Sequence, residues 1–337
     1  MKILKSVGVI TIRRSLTPLV IALTIWGCGE EVKEETVSKE NLPLVVATTS
    51  ILCDLTEQVA QDTVNLKCLV APGLDPHVYQ ATPEDRQAIE SADLVLYGGY
   101  NFDSSLIKLV EATTNDNPKI AVHEQAVTNP ILAEEHDHGH SHDHDHHSEE
   151  KVPDPHVWHN PENGAKMVAV IAEGLTQVQP ELAEKYSIQS KAIQEELGQI
   201  DEWIAQQIAT IPPNQKKLVT THDALGYYVE GYNLEFQGAL SGISTDESPS
   251  AGNVANLVKE IKETQVPTIF AETSVNPQLI ETVAREANVK LSPQELYADS
   301  LGEKGTEGDS YQRMLIANTK AIVEGLGGKY TPFNSSN

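Results

Sequence analysis

Residues 180–212 read PELAEKYSIQSKAIQEELGQIDEWIAQQIATIP, 33 residues without a Gly-Pro break. The apolar positions are Leu182, Tyr186, Ile193, Leu197, Ile200, Ile204, Ile208 and Ile211. Their steps of three, four and seven are helical spacing, so the segment predicts one long helix, with its lead-in occupying 179–212. At 1.5 Å per residue, a helix of about 30 residues is about 45 Å long. Both flanks alternate short apolar runs with amphipathic stretches. Upstream, LVVAT (44–48), VNLKCLV (64–70), DLVLYGG (93–99) and KIAV (119–122) read as strands, with helices after Ser50 and after Pro83, the second capped by Thr82. Downstream, KLVTT (217–221), LEFQG (234–238), TIFAE (268–272) and VKLS (289–292) read as strands, separated by LVKEIKETQ and PQLIETVAREA and followed by QRMLIANTKAIVEGL as helices. Such alternation indicates parallel sheets with helices on their faces. The expected fold class is therefore α/β. It has two lobes, 43–178 and 213–333, each a mainly parallel sheet flanked by helices, joined by one long rigid helix. A continuous helix at the joint restricts closure to a small rotation or to loop shifts.

The chain has 337 residues, with 24 Lys and Arg against 49 Asp and Glu, a net charge of -25. That acidity argues against a nucleic-acid partner, which wants basic stripes. No apolar run reaches the roughly 20 residues that span a bilayer. Residues 1–27 carry Lys2, Lys5, Arg13 and Arg14 and no acid, then an apolar stretch from Leu16 to Trp26 and Gly27-Cys28. This is the layout of an export signal peptide. Cys28 stands where a bacterial lipoprotein box places its lipidated cysteine, so the expected location is outside the cytoplasmic membrane, periplasmic or in the cell envelope, with membrane contact through the lipid anchor only. Cleavage without lipid is the plainer alternative. Loss of residues 1–27 would deepen the charge to -29. Residues 28–42 are polar and without periodicity, and read as a tether. Cys53 and Cys68 remain. In an exported chain they are candidates for a disulfide, with two buried thiols as the alternative.

Seven of the twelve histidines fall at His136, His138, His140, His142, His144, His146 and His147, within an acidic, apolar-free loop spanning 134–150. Acidic filler would account for the Asp and Glu but not for seven imidazoles. Imidazole suits zinc, copper and nickel rather than magnesium or calcium, so the loop reads as an auxiliary metal collector. Three other histidines sit at marked places. His77, in APGLDPHVYQATPED, follows a strand; His156, in DPHVWHNPENG, precedes a helix; His222, in KLVTTHDALGYY, follows a strand. Asp299, in LYADSLGEKG, follows the strand at 289–292 and completes a candidate set. Ligands of open α/β sheets gather beyond the carboxyl ends of strands, and three imidazoles with one carboxylate suit a four-coordinate Zn(II). The spacings are 79, 66 and 77 residues, so no local motif defines the site.

Taken together, LVVATTSILCDLTEQVA, APGLDPHVYQATPED, DPHVWHNPENG, THDALGYYVEGYNLEFQGALSGISTDESPSA and LYADSLG…YQRMLIAN resemble the cluster 9 metal-binding solute-binding proteins of ABC transporters, over residues 43–328. The histidine-rich insertion before the second DPH resembles the zinc-uptake, ZnuA-like branch. The resemblance implies metal ligands at His77, His156, His222 and Asp299, Zn(II) as the bound ion, no enzymatic activity, and delivery by a monomer to an ABC permease in the membrane. Manganese-type members often carry a carboxylate where this chain has His222. His159 and Asn160 depart from the pattern, which commonly shows an apolar residue and Asp there. His159 and Glu272 are candidates for partners lying behind the ligands, and Asn160 for a helix cap. Manganese or broad divalent-metal binding on the same fold, an exported zinc hydrolase, and an adhesin or store using the tract alone are the competing readings. The hydrolase lacks HExxH, and four protein ligands would close the position its water needs.

Overall fold

The structure is a computed structural model that describes residues 42–134, 151–246 and 248–334. The expected signal segment, Cys28, most of the tether and the seven tract histidines lie outside the described residues.

Four strands open the chain: β1 (Leu44–Ala47), β2 (Asn65–Cys68), β3 (Leu94–Tyr97) and β4 (Lys119–Ala121). They form one wholly parallel sheet in the order β2-β1-β3-β4. Parallel pairing requires crossovers, supplied by α1 (Ser50–Ala60), α2 (Pro83–Ser91) and α3 (Ser104–Ala112). Thr49 caps α1 through the Leu52 amide, and Thr82 with Asp85 forms a reciprocal capping box on α2. After the short α4 (Val122–Ala126), an antiparallel pair that the sequence patterning did not indicate appears: β5 (Leu132–Glu134) with β6 (Lys151–Pro153). It brackets the segment that contains the histidine tract.

A 3-10 turn at Val157–His159 leads into α5 (Pro161–Val178), capped by Asn160 through the Glu162 amide at 2.8 Å. The predicted long helix is α6 (Ala183–Ala209), 27 residues after a 3-10 turn at Pro180–Leu182. It is shorter at both ends than the periodic segment, because Leu182 and Ile211 pack from the flanking turns rather than from the helix. Tyr186, Ile193, Leu197, Ile200, Ile204 and Ile208 are buried along it as the spacing predicts.

The second lobe holds β7 (Lys217–His222) parallel to β8 (Glu235–Ser241), and β9 (Thr268–Ile269) parallel to β10 (Lys290–Leu291). The Phe270 amide donates to Val219 O at 3.0 Å and ties the two pairs together. The β7–β8 register slips at Leu218/Val219, opposite Gly238, whose φ of 136° no side chain adopts easily. Around these strands lie α7 (Gly226–Tyr232), α8 (Ala251–Thr264), α9 (Gln278–Ala287) and α10 (Tyr311–Gly325). One hydrophobic core runs from Val45 and Leu94 through α6 to Leu218 and Ile322, so apolar packing is continuous between the lobes. Separating them would expose that surface, which favours loop-scale motion over wide hinging. Among the described residues no helix is long and apolar enough to cross a membrane.

Candidate metal centre

Each of the four side chains comes from a different segment. His77 lies beyond β2, in a turn where Gly73 takes a φ of 80°. The Gly73 amide reaches the other lobe, donating to Leu301 O and Ser300 Oγ at 2.9 Å each. His156 precedes the 3-10 turn at Val157–His159, His222 ends β7, and Asp299 lies beyond β10. Ser50, at the start of α1, bonds Ser300 Oγ at 3.1 Å and accepts from the Leu301 amide at 3.0 Å. The Gly73 amide thus joins the loops bearing His77 and Asp299, and Ser50 ties the Asp299 loop to α1. Asp75 and Asp154 each accept the amide two residues on, of His77 and His156, at 2.9 Å. This is the physical content of the repeated DPH: an aspartate turn that presents the histidine.

The structure brings one ligand atom from each of His77, His156, His222 and Asp299 within 4.8 Å of one another. His77 Nε2 and His156 Nε2 are 3.2 Å apart. Asp299 Oδ1 lies 3.3 Å from His156 Nε2 and 3.2 Å from His222 Nε2, while its Oδ2 is 4.0 Å from His77 Nε2. A tetrahedral ion with bonds of 2.0–2.1 Å needs donors about 3.3 Å apart, which the pairs at 3.2–3.3 Å match, while the full set spans up to 4.8 Å and would draw in slightly around an ion. Asp299 Oδ2 is buried with no hydrogen-bond partner, which leaves a charge-bearing oxygen facing the cluster. His156, His222 and Asp299 are fully buried, and His77 keeps 9% exposure, which makes it the ligand nearest the mouth.

Two carboxylates orient the imidazoles from behind. Asp154 Oδ1 is 2.8 Å from His156 Nδ1. Glu272 Oε2 meets His222 Nδ1, and its Oε1 accepts the Thr221 and His222 amides at 2.9 and 3.0 Å. A hydrogen bond of this kind fixes the Nδ1–H tautomer and leaves Nε2 free to bind a cation. Glu272 was a sequence candidate for that position. Asp154 was missed, although its place in DPH carried the signal. His159 is buried but stands outside the cluster, its Nε2 donating to Ala298 O at 2.9 Å, so it does not compete with His156 for an ion. His123, buried near Phe102 and Trp158, is likewise outside it.

The electrostatics divide the donors. Burial pushes His77 down to about 3, against the pull of Asp299, so its ring is neutral. Burial also opposes charge on His156, but hydrogen bonds to Asp154 and Asp299 outweigh it and raise the ring to about 9. His222 is held well above its ordinary value because Asp299 and Glu272 outweigh its burial. Asp299 is buried as well, yet the His222 charge and the His156 hydrogen bond hold it far below the usual carboxylate range. The arrangement is one in which a cation would compete with protons on His156 and His222 for the place beside Asp299. Elsewhere in the first lobe, Cys53 and Cys68 are disulfide-bonded, their Cα atoms 5.7 Å apart.

Residues 45–325 match the family profile described as zinc-uptake complex component A, periplasmic (ZnuA). The metal ABC transporter substrate-binding lipoprotein ScbA of Streptococcus cristatus is 32% identical over 318 residues, covering 93% of this chain and 98% of that protein. The manganese-binding lipoprotein MntA of Halalkalibacterium halodurans is 31% identical over 312 residues, covering 93% and 97%. Manganese also stands in the names of similar lipoproteins such as scaA of Streptococcus gordonii and PsaA of Streptococcus pneumoniae. Among solved structures, the periplasmic zinc binding protein TroA from Treponema pallidum superposes with a TM-score of 0.76 at 29% identity, over 85% of this chain and 99% of that one. With fold and sequence agreeing over nearly the whole folded part, the chain belongs to the ZnuA family, metal-binding substrate-binding components of ABC transporters that serve a membrane permease and are not enzymes.

Proposed function

We propose that this protein captures Zn(II) with high affinity outside the cytoplasmic membrane, is held there by a lipid on Cys28, and hands the ion as a monomer to its ABC permease. One observation carries the reading: three imidazole nitrogens and a carboxylate converge within 4.8 Å of one another, three of their separations at the 3.2–3.3 Å a tetrahedral ion requires. The ligands proposed are His77, His156, His222 and Asp299. With a divalent ion bound, the four carry a net charge of +1, which the acidic chain tolerates. Nitrogen-rich sites favour zinc over manganese, which prefers carboxylate, carbonyl and water. The tract histidines from His136 to His147 would gather the ion in weaker, interchangeable sites, because ordering a polar loop costs entropy at each capture. Capture then proceeds from the mouth, with His77 meeting the ion first and the proton-bearing His156 and His222 yielding to it. Signal cleavage after residue 27, the tether 28–42 and the lobe limits 43–178 and 213–333, around a linking segment 179–212, belong to the same proposal.

Manganese is the second reading, and the names of the curated relatives favour it. Metal analysis of the purified protein decides, before and after residues 135–150 are replaced by a two-residue turn. One tightly held zinc should survive the replacement and be lost in the His77→Ala, His222→Ala double variant. Stoichiometric tight zinc in that double variant would remove the site assignment. A thermal-shift competition in which manganese stays bound against excess zinc would remove the zinc claim.

A further inference from the structure

Trp158 and His159 close the 3-10 turn that begins one residue after His156. Both rings point to the other lobe and meet at one atom. Trp158 Nε1 donates to Ala298 O at 3.0 Å, and His159 Nε2 lies 2.9 Å from the same oxygen. A carbonyl only accepts, so His159 carries its proton on Nε2, and both lone pairs of Ala298 O are filled from across the seam. Ala298 immediately precedes Asp299, and both are fully buried. From the second lobe Tyr311 returns a bond, its hydroxyl donating to Trp158 O at 2.6 Å. The segment that bears His156 and the segment that bears Asp299 are therefore tied within a few residues of the atoms that face each other at 3.3 Å.

His159 is an awkward choice unless this bond matters. Its Nδ1 is buried with no partner, a cost that an apolar side chain of similar size would avoid. The ring is fully buried and tilted at 45° against Trp158, and among the described residues its side chain makes its hydrogen bond to Ala298 O. We propose that His159 is a positioning residue: by bonding Ala298 O it holds the Asp299 loop against His156 and slows the escape of a bound cation. The proposal rests on the metal-binding reading of the four-residue site. An ion shared by His156 and Asp299 is held tightly only while those two side chains stay together, and any parting of them stretches the His159–Ala298 bond. Trp158 alone then restrains the carbonyl. The bond thus acts on the rate of loss more than on the rate of capture.

The test measures release. Full-length protein is loaded with Zn(II) and mixed rapidly with excess chromogenic chelator, for the wild type, His159→Leu and His159→Gln. Leucine fills the space without a donor, whereas glutamine keeps an N–H that can reach the carbonyl. His159→Leu should release zinc about 5- to 10-fold faster, the equivalent of one net hydrogen bond. His159→Gln should come back to within about twofold of the wild type, and the association rates of all three should agree. Equal release from the wild type and the leucine variant overturns the proposal. Equally fast release from both variants overturns it too, since packing rather than the bond would then be at work. If the leucine variant does not fold, Trp158→Phe removes the other donor to the same carbonyl and must show the same acceleration. A wild type that loads neither Zn(II) nor Mn(II) would defeat the metal-binding reading itself, an outcome distinct from those above.

Discussion

Glu272→Gln isolates the group behind His222 with almost no change in shape. The carboxylate accepts three hydrogen bonds: Oε1 takes the amides of Thr221 and His222, and Oε2 takes His222 Nδ1. Glutamine has one oxygen for these three donors. If that oxygen faces the two amides, the NH2 group confronts Nδ1–H. If it faces Nδ1, the NH2 group confronts two amides. Each unpaired buried donor costs about 1–3 kcal/mol, so the first orientation wins by one donor. Its remaining conflict is relieved when the imidazole proton moves to Nε2, the nitrogen a cation needs. The penalty therefore falls on the metal-competent tautomer, and 1–3 kcal/mol corresponds to roughly 5- to 150-fold weaker binding, in line with 10–100-fold for comparable groups behind metal ligands. The deficit should grow as pH rises, because the charged carboxylate also raises His222 and makes the wild type suffer more proton competition at low pH. Chelator competition from pH 6.5 to 9, with thermal unfolding of the free protein as control, measures this. A folded variant whose affinity stays within twofold of the wild type at every pH would refute the reasoning.

Proton release gives a second check. At pH 7 the free site holds His156 and His222 charged, His77 neutral and Asp299 ionised, so calorimetry in buffers of different ionisation enthalpy should return close to two protons per ion bound. Fewer than one would contradict the site's electrostatics. The same groups set the stability of the metal-free protein: the raised His156 contributes fully below about 6.5 and loses that contribution as pH rises through about 9, so the melting temperature should decline across that window. Cys53→Ser opens a loop of 14 intervening residues and should lower unfolding free energy by about 3 kcal/mol in urea titration. Gly164→Ala would set a methyl 2.2 Å from the Tyr311 hydroxyl and 2.6 Å from its ring, and should destabilise by about 1–3 kcal/mol despite the better helix propensity of alanine.

The four clustered side chains were legible because each stands at a strand end or helix start within a segment of distinctive sequence. Their meeting was legible only through the family resemblance, since residues 66 to 79 apart come together only through the fold. The long helix could be read from its period, which is a local property of the chain. Glu272 stood out at a strand end, where α/β sheets concentrate chemistry, whereas Asp154 was overlooked because its two tasks depend on a ring turning back over two residues. The partner of His159, Ala298 O, lies 139 residues away and is a backbone atom, so no residue type announces it. Carboxylates beside His156 and His222 raise both rings above the ordinary imidazole range, His156 to about 9, so protons compete with a cation there at higher pH than for a free imidazole. The β5–β6 pair escaped notice because three-residue strands beside a charged tract leave no period to detect.

That small pair has a consequence for how the chain can change over generations. Leu132 faces Pro153 and Glu134 faces Lys151, so the segment containing the tract leaves and re-enters the fold at neighbouring points. Closing a longer segment between fixed ends grows only logarithmically, and doubling its length adds about 0.6 kcal/mol. Histidines can therefore be gained, lost or reshuffled there at almost no expense to the rest of the molecule. The four-residue cluster in the core, by contrast, is set by packing that such changes do not touch.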